Sequence, residues 1–312
     1  MDEGRCTRSR GTTRSLEAAL SSARQRTRDR AGALQIDTVN LREHVPYFLL
    51  DLARAARDAL SPSRRRITRA RRAEVDELAL LVSPSQRVLA GPFVGLHLPA
   101  TAFWGGHAAR LAGAYEEEIA PHVERAIARS PRLVVDAGAA EGYYAVGLAR
   151  RLPDAQIIAY EIDGEARRLC AEVARRNDVT NVRMRGRVTP RDLSRRLPAD
   201  ALVLCDVEGY ELDLLHPEMV PGLLTAHLIV ELHEFERPGV SQTMVERFTA
   251  SHTIELVDAR PRTGSRPQLA HLDEATAHRA MDEGRPSEPR MQWAVMTPRA
   301  GPSRAPGIHG TE

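Results

Sequence analysis

From residue 132 onward, short apolar runs alternate with stretches whose apolar positions recur every three to four residues. The runs, at 133–136, 157–161, 182–185, 201–206, 227–232, 253–257 and 292–296, are rich in Val, Ile and Leu and are bounded by polar or turn residues. That is the pattern of buried strands. Helical segments lie between them. One runs to about residue 152, and another carries Ala166, Leu169, Cys170 and Val173 on a single face. Strands alternating with crossover helices predict an α/β fold: a doubly wound, mainly parallel sheet of seven strands with right-handed connections.

Upstream the pattern changes. Residues 1–33 are rich in Arg, Ser and Thr with almost no large apolar residue, so little offsets their ordering entropy and a disordered basic arm is expected. Leu41, Val45, Phe48, Leu49, Leu52, Ala56 and Leu60 follow the period of an amphipathic helix. Residues 88–106 mix apolar residues with Gly and Pro and read as strands and turns, consistent with a hairpin, and 116–129 read as a helix. The expected organisation is the arm at 1–33, a partly helical, hairpin-bearing cap at 34–130, the sheet domain at 131–298 and a disordered tail at 299–312.

Composition narrows the chemistry more than the fold. The 312 residues are 42% hydrophobic and 28% charged, ordinary for a soluble protein, and no apolar stretch nears the roughly 20 residues of a membrane span. All 44 basic residues are Arg. Without Lys there is no Schiff-base chemistry, no phosphate-gripping P-loop lysine and no lysine base for chemistry at an RNA 2′-hydroxyl. Cys6, Cys170 and Cys205 are too scattered for a disulfide framework or a CxxC metal site. They fit a reducing cytoplasm, and arginines stand where a secretory signal needs its apolar segment. Residues 1–72 carry 17 Arg against 8 acids, and the remainder 27 against 34. The basic front, with Arg64, Arg65, Arg66, Arg69, Arg71 and Arg72, could attract nucleic acid. A solvated, poorly ordered arm is the more ordinary reading, and 4% aromatic content leaves little for base stacking.

The loop after the first run reads Asp136-Ala137-Gly138-Ala139-Ala140-Glu141-Gly142. Small residues there let the backbone approach a ligand, with a helix beginning beneath it. Its two glycines do not make the dinucleotide fingerprint, which needs three at its own spacing. An acid at the strand end suits a ligand bearing a positive group, such as an ammonium. Glu161 ends the second run 19 residues after Gly142, near the spacing at which an acid grips ribose hydroxyls in nucleotide folds. Ligands of open α/β sheets lie beyond the carboxyl ends of the strands, so this loop and Glu161 form the expected nucleotide site.

The fourth and fifth runs also end in acids. Asp206 and Glu208 follow the fourth, while Glu231 and His233 flank Leu232 and so share one face of the sheet. Asp206, Glu208, Glu231 and His233 are the candidate catalytic residues, with Glu231 and His233 as a base pair. Each has a plainer reading: Glu208 or Glu211 capping the next helix, and His233 as a hydrogen-bonded core histidine. Asp206, Glu208, Glu231, Glu234 and His233 also offer ligands to a divalent ion, but no compact ligand spacing supports one and no metal is assigned. Trp104 and His107 either line an acceptor pocket or pack the interior.

DAGAAEG at 136–142 followed by YEID at 160–163 resembles the first two motifs of class I S-adenosylmethionine-dependent methyltransferases. DVEGYE at 206–211 and IVELHEF at 229–235 resemble, more narrowly, the FkbM-like branch. The resemblance covers roughly residues 115–298, from the approach GAYE at 113–116 to the closing MQWAVMTP at 291–298. It implies a Rossmann-like methyltransferase sheet whose last strand is antiparallel. It implies S-adenosylmethionine held across Asp136, Gly138, Ala139, Glu141, Gly142, Glu161, Asp163 and Asp206, with Arg187 and Val188 beside the adenine. The acceptor implied is a hydroxyl of a small molecule, sugar or natural product. Ala139-Ala140 between the glycines departs from the usual Gly-rich loop. A cytoplasmic enzyme with a small-molecule acceptor, and with neither membrane nor nucleic acid as partner, is the resulting expectation.

Two alternatives remain. A nucleic-acid-associated binding protein would use the basic arm and keep the sheet as a non-catalytic cofactor domain, with salt-dependent RNA retention lost on deleting residues 1–72. A nicotinamide oxidoreductase would change the absorbance of its coenzyme.

Overall fold

The computed structural model describes residues 77–100, 106–283 and 291–299. The expectations for the arm at 1–33, the helix at 41–60, the Arg64–Arg72 cluster, Trp104 and the tail from 300 lie outside the described residues.

Seven strands form one sheet: β1 Leu133–Ala137, β2 Gln156–Tyr160, β3 Val182–Arg185, β4 Leu202–Cys205, β5 His227–Leu232, β6 His252–Asp258 and β7 Gln292–Pro298. Each lies within two residues of the run that predicts it. Their order is β3-β2-β1-β4-β5-β7-β6. Strands β1 to β5 pair in parallel, and β7 runs antiparallel between β5 and β6. β1 and β4 are buried at every position, which is why they read as unbroken apolar runs, whereas the edge strand β3 alternates. Alternate β1 side chains feed two cores. Val134 joins Val146, Leu148 and Cys170 on one face. Val135 and Ala137 join Leu193, Leu214, Met244 and Phe248 on the other.

The helices covering these faces are α1 His107–Ala112, α2 Ala120–Ala128, α3 Tyr143–Arg151, α4 Gly164–Arg176, α5 Pro190–Ser194, α6 Glu211–Leu214, α7 Val240–Phe248 and α8 Glu274–Met281. The helix expected at 116–129 starts only at Ala120. The Glu116 backbone is left-handed, with φ of 47°, and 116–119 form turns; Pro121 then fills the first helical turn, where its missing N–H costs little.

The predicted hairpin contracts to one antiparallel bridge, Arg87 to His97, closed by Gly95 N donating to Val88 O at 2.7 Å. Asn177, at the C-cap of α4, fastens it to the body: His97 N donates to Asn177 Oδ1 and Asn177 Nδ2 to His97 O, both at 2.8 Å. Phe93 from this segment stands edge-on to Tyr143 and Tyr144, at 5.2 and 5.7 Å between ring centres. Among the described residues, no helix is long and apolar enough to cross a membrane.

Phe93 also lies on Gly147, in the middle of α3. Exchanging a helical Gly for Ala ordinarily stabilises by about 1 kcal/mol, but a Cβ here would stand 2.5 Å from the ring. Gly147→Ala is therefore expected to destabilise, by roughly 1–3 kcal/mol as in other overpacked cores. A urea midpoint equal to or above that of the unaltered protein would contradict the packing described.

Candidate functional site

The register brings three strand tips to one level. Asp136 of β1 lies opposite Ala159 of β2 and Leu204 of β4, and Ala137 opposite Tyr160 and Cys205. The chain therefore leaves the sheet at Gly138, Glu161 and Asp206 side by side. Because β2 and β4 flank β1 on opposite sides, this is where strand order reverses and where open sheets place ligands.

The loop after β1 is held by the fold itself. Gly138 N and Ala139 N both donate to Tyr160 O at 2.9 Å, and Asp206 N donates to Ala137 O at 2.8 Å. At Gly138 φ is 92°, and a Cβ would stand 1.6 Å from the carbonyl oxygen of Asp206; at Gly142 it would stand 2.5 Å from Cys170 Sγ. Both glycines are thus demanded by packing between protein segments, a stricter requirement than the ligand approach expected of them. Ala140, at φ 44°, adopts a conformation that side chains seldom take.

Glu161 stabilises that turn. Its Oε2 accepts from Ala140 N at 2.9 Å and its Oε1 from Asp163 N at 2.8 Å, leaving each oxygen a further lone pair. Asp136 sits beside it, 1% exposed; neither carboxylate oxygen closes a well-formed hydrogen bond, although the backbone N–H of Ala145 acts on it.

Other residues expected to hold a cofactor have structural work. Asp163 Oδ1 caps α4, accepting from Glu165 N and Ala166 N. Glu141 pairs with the buried guanidinium of Arg110. Val188 is buried in the core with Leu193. Arg187 is exposed and lies over the ring of Tyr210, 5.2 Å from its centre.

The predicted catalytic residues do converge. His233 is 2% exposed, its Nδ1 lies 2.7 Å from Glu211 Oε1, and its Nε2 faces Glu208 Oε2 at 3.4 Å, Asp206 Oδ1 at 3.5 Å and Glu231 Oε2 at 3.9 Å. Burial works against a charge on His233, but Glu211, Glu231 and Glu208 overcome it and lift the imidazole to about 9. At neutral pH this ring is a cation with both nitrogens protonated, so in this state it cannot serve as the proton-accepting half of the expected base pair. Asp206 is held well above the usual carboxylate range by burial first, then by Glu208 and Glu116. Its side chain is 29% exposed, yet Oδ1 is enclosed without a hydrogen-bond partner.

Glu211 does more than the cap expected of it. Fully buried, it accepts from Gly209 N at 3.1 Å and pins His233 with the same oxygen. It thereby fixes the turn in which Glu208 takes a left-handed backbone, φ 51°. Two open alternatives are decided by the local packing. His107, offered as a pocket residue, is a core histidine: it is 1% exposed, lies 3.1 Å from Gln86 Oε1, and is lowered to about 4 by burial and then by Arg110. Glu234, offered as a metal ligand, instead receives hydrogen bonds from Gly239 N, Ser241 N and Ser241 Oγ at the start of α7.

The wall facing the acids entered the sequence reading only as part of a matched stretch. Tyr115 lies under the Arg110 guanidinium, 4.3 Å from ring centre, and Tyr144 donates to Glu116. Arg262 clamps this segment, reaching Glu118 at 2.6 Å, Glu283, and Ala114 O at 2.8 Å. Arg110 and Glu141 are 31 residues apart, and Arg262 and Ala114 are 148 apart. No local spacing signals such pairs.

Burial lifts Asp136 to about 7, and the Glu161 carboxylate pushes the same way. A carboxyl raised from the ordinary value of about 4 binds its proton more tightly folded than unfolded, so the fold loses stability as pH rises from about 4 to about 7, by at most about 1.4 kcal/mol per unit. Above that window the loss is complete. Asp136→Asn removes it: in the absence of ligand the variant is expected to melt above the unaltered protein at pH 8, with the gap closing towards pH 4. Equal melting temperatures at pH 8 would overturn the assignment of a strained, unpaired carboxylate.

No family model matches the chain, and no curated protein matches it. Solved structures that resemble its course include the precorrin-6y C5,15-methyltransferase of Geobacter metallireducens, at 9% identity over 57% of this chain and 87% of that one, with a TM-score of 0.39. Another is the O-methyltransferase TomG of Streptomyces achromogenes, involved in tomaymycin synthesis and solved in complex with S-adenosylmethionine, at 17% identity over 61% of this chain and 87% of that one, with a TM-score of 0.38.

Proposed function

We propose that the chain is a class I S-adenosylmethionine-dependent methyltransferase acting on a hydroxyl of a small molecule. The observation that carries the reading is Asp136, a buried carboxylate whose oxygens close no well-formed hydrogen bond, beside Glu161 at adjacent parallel strand tips. Leaving a buried charge without donors is costly, and an ammonium supplies what Asp136 lacks. Glu161 keeps acceptor capacity for ribose hydroxyls while its present bonds hold the loop in shape. Exposed Arg187 and Ile162, on the loops beside them, offer surface to a flat base. The residues present therefore fit a charged nucleoside with an amino-acid arm.

When bound, S-adenosylmethionine supplies a methyl group on a sulfonium, whose departure is neutral and needs no proton from the protein. The chain's task is alignment, from which effective molarities of order 10⁵ M or more are available. Asp206, Glu208 and Glu231 stand about the adjoining strand tips and can accept a hydrogen bond from an acceptor hydroxyl, Glu208 being placed to take up the proton released as the oxygen bonds the methyl carbon, while Glu211 and His233 fix where those carboxylates stand. The narrower FkbM-like reading rests on the same DVEGYE stretch, which contributes Asp206, Glu208 and Glu211.

Calorimetric titration with S-adenosylhomocysteine tests the proposal. The unaltered chain is expected to bind, and Asp136→Asn and Glu161→Ala each to weaken binding about tenfold or more, equivalent to about 1.4 kcal/mol. Because Asp136→Asn is expected to be the more stable protein, its loss of binding is not a loss of fold. Undiminished affinity in both variants sinks the cofactor assignment.

A further inference from the structure

We infer that the cavity between α2 and the amino ends of β4 and β5 binds one tetrahedral oxyanion of the phosphate class, held by Arg125 and Arg129. It lies at the end of the parallel strands away from Asp136 and Glu161, so it goes beyond the reading above and rests on none of its residues. The cavity has a volume of about 140 Å³, and His122, Arg125, Arg129, His227, Glu255 and Thr297 are among the residues lining it. A water molecule's share of the liquid is about 30 Å³, so the space exceeds what one solvent molecule fills. His122, Arg125 and Arg129 share a face of α2 and its C-cap, being spaced by three and then four residues. His227 opens β5 and is the one position of that strand that is not buried.

Charge in this space is unbalanced. Like charges one helical turn apart repel, and among the described residues no acid pairs with Arg129. Glu255, itself 61% exposed, stands 3.6 Å from His122 Nε2 and 3.7 Å from Arg125, beyond ordinary hydrogen-bond length. His122 Nδ1 accepts from Arg125, so the ring's proton belongs on Nε2. His227 Nδ1 is enclosed without a hydrogen-bond partner; a proton there would have no acceptor, and Nε2 is the donor of that ring too. Both rings are held below the ordinary histidine value: His122 by burial and then Arg125, with Glu255 opposing, and His227 by burial and then Arg129, with Asp200 opposing and His252 adding. Arginines at the carboxyl end of a helix complement its dipole, which accounts for their charge but not for a cavity beside them. Two guanidiniums and two imidazole N–H groups facing a single loosely held carboxylate leave donors and positive charge in surplus. An anion with several acceptor oxygens satisfies both, and the planar fork of arginine matches the geometry of phosphate.

The test titrates the full chain with inorganic phosphate at neutral pH and constant ionic strength, following the broadening of the phosphate ³¹P resonance. One saturable site per chain is expected. Arg125→Gln and Arg129→Gln alter exposed side chains, so the fold is retained, and each is expected to weaken binding about tenfold, as the loss of one charged hydrogen bond does. Glu255→Gln removes the opposing acid and is expected to tighten binding about threefold, a gain that damage to the fold does not produce. Glycerol 3-phosphate identifies the source of the group: affinity no tighter than that of phosphate marks the free ion as ligand, and tighter binding marks a phosphorylated metabolite. Absence of saturable binding up to about 10 mM overturns the inference. So does unchanged affinity in both arginine variants, or weaker binding by Glu255→Gln. None of these outcomes bears on the S-adenosylhomocysteine titration, whose residues stand at the other end of the strands.

Discussion

The contact between Gly138 and the carbonyl of Asp206 governs the rest of the site. A side chain at 138 would collide with that carbonyl, so the loop after β1 lies directly against the tip of β4. Tyr160 O holds the same loop to β2 through two amides. The acids at the tips of β1 and β2, Asp136 and Glu161, and those beyond β4, Asp206 and Glu208, are consequently parts of one braced surface. A reaction that depends on aligning two bound molecules gains most from such a surface, because alignment error between its halves is removed before either molecule arrives.

That brace is obtained at an energetic cost. Asp136, Asp206, Glu211 and Glu231 are crowded about the carboxyl ends of β1, β4 and β5, and at Asp136 and Asp206 burial and neighbouring carboxylates together disfavour ionisation. The opposing cations near them are His233, tied to Glu211, and Arg110, tied to Glu141. Strain in the backbone adds to the load, at Ala140 and Glu208. Unfavourable groups concentrated at one end of a well-packed sheet, with two continuous cores behind them, are what is expected when local stability is given up for binding.

How much of this could be read from residues alone follows from the range of each interaction. Strands buried on both faces leave a contiguous apolar record, so β1, β2 and β4 and the acids that end them were legible, and the alternation of Glu231 and His233 placed both on one face, beside Asp206 and Glu208. The helix boundary at 116 was not, because it turns on one left-handed residue whose reason lies in long-range contacts to Tyr144 and Glu283. A lone histidine such as His107 carries no mark that separates core from pocket; its partner, Gln86, is 21 residues away. Glu234 and Asp163 show the reverse case. Their chemistry matched a ligand set, but nearby backbone amides use them as caps, which only the local fold reveals.

Glu211 gives one oxygen to Gly209 N and His233 Nδ1 together, and this double duty limits how the protein can diversify. An insertion or deletion between 206 and 211 would break the tie to the histidine just beyond β5, so that turn is locked in length by a partner 22 residues further on. The segment bearing Tyr115 is anchored from outside by Arg262, and the exposed Phe235 beyond β5 lies past the last of these ties. If the proposed activity holds, new acceptor preferences would arise by altering the Tyr115 wall and the residues after His233, while the acidic floor between them stays as it is.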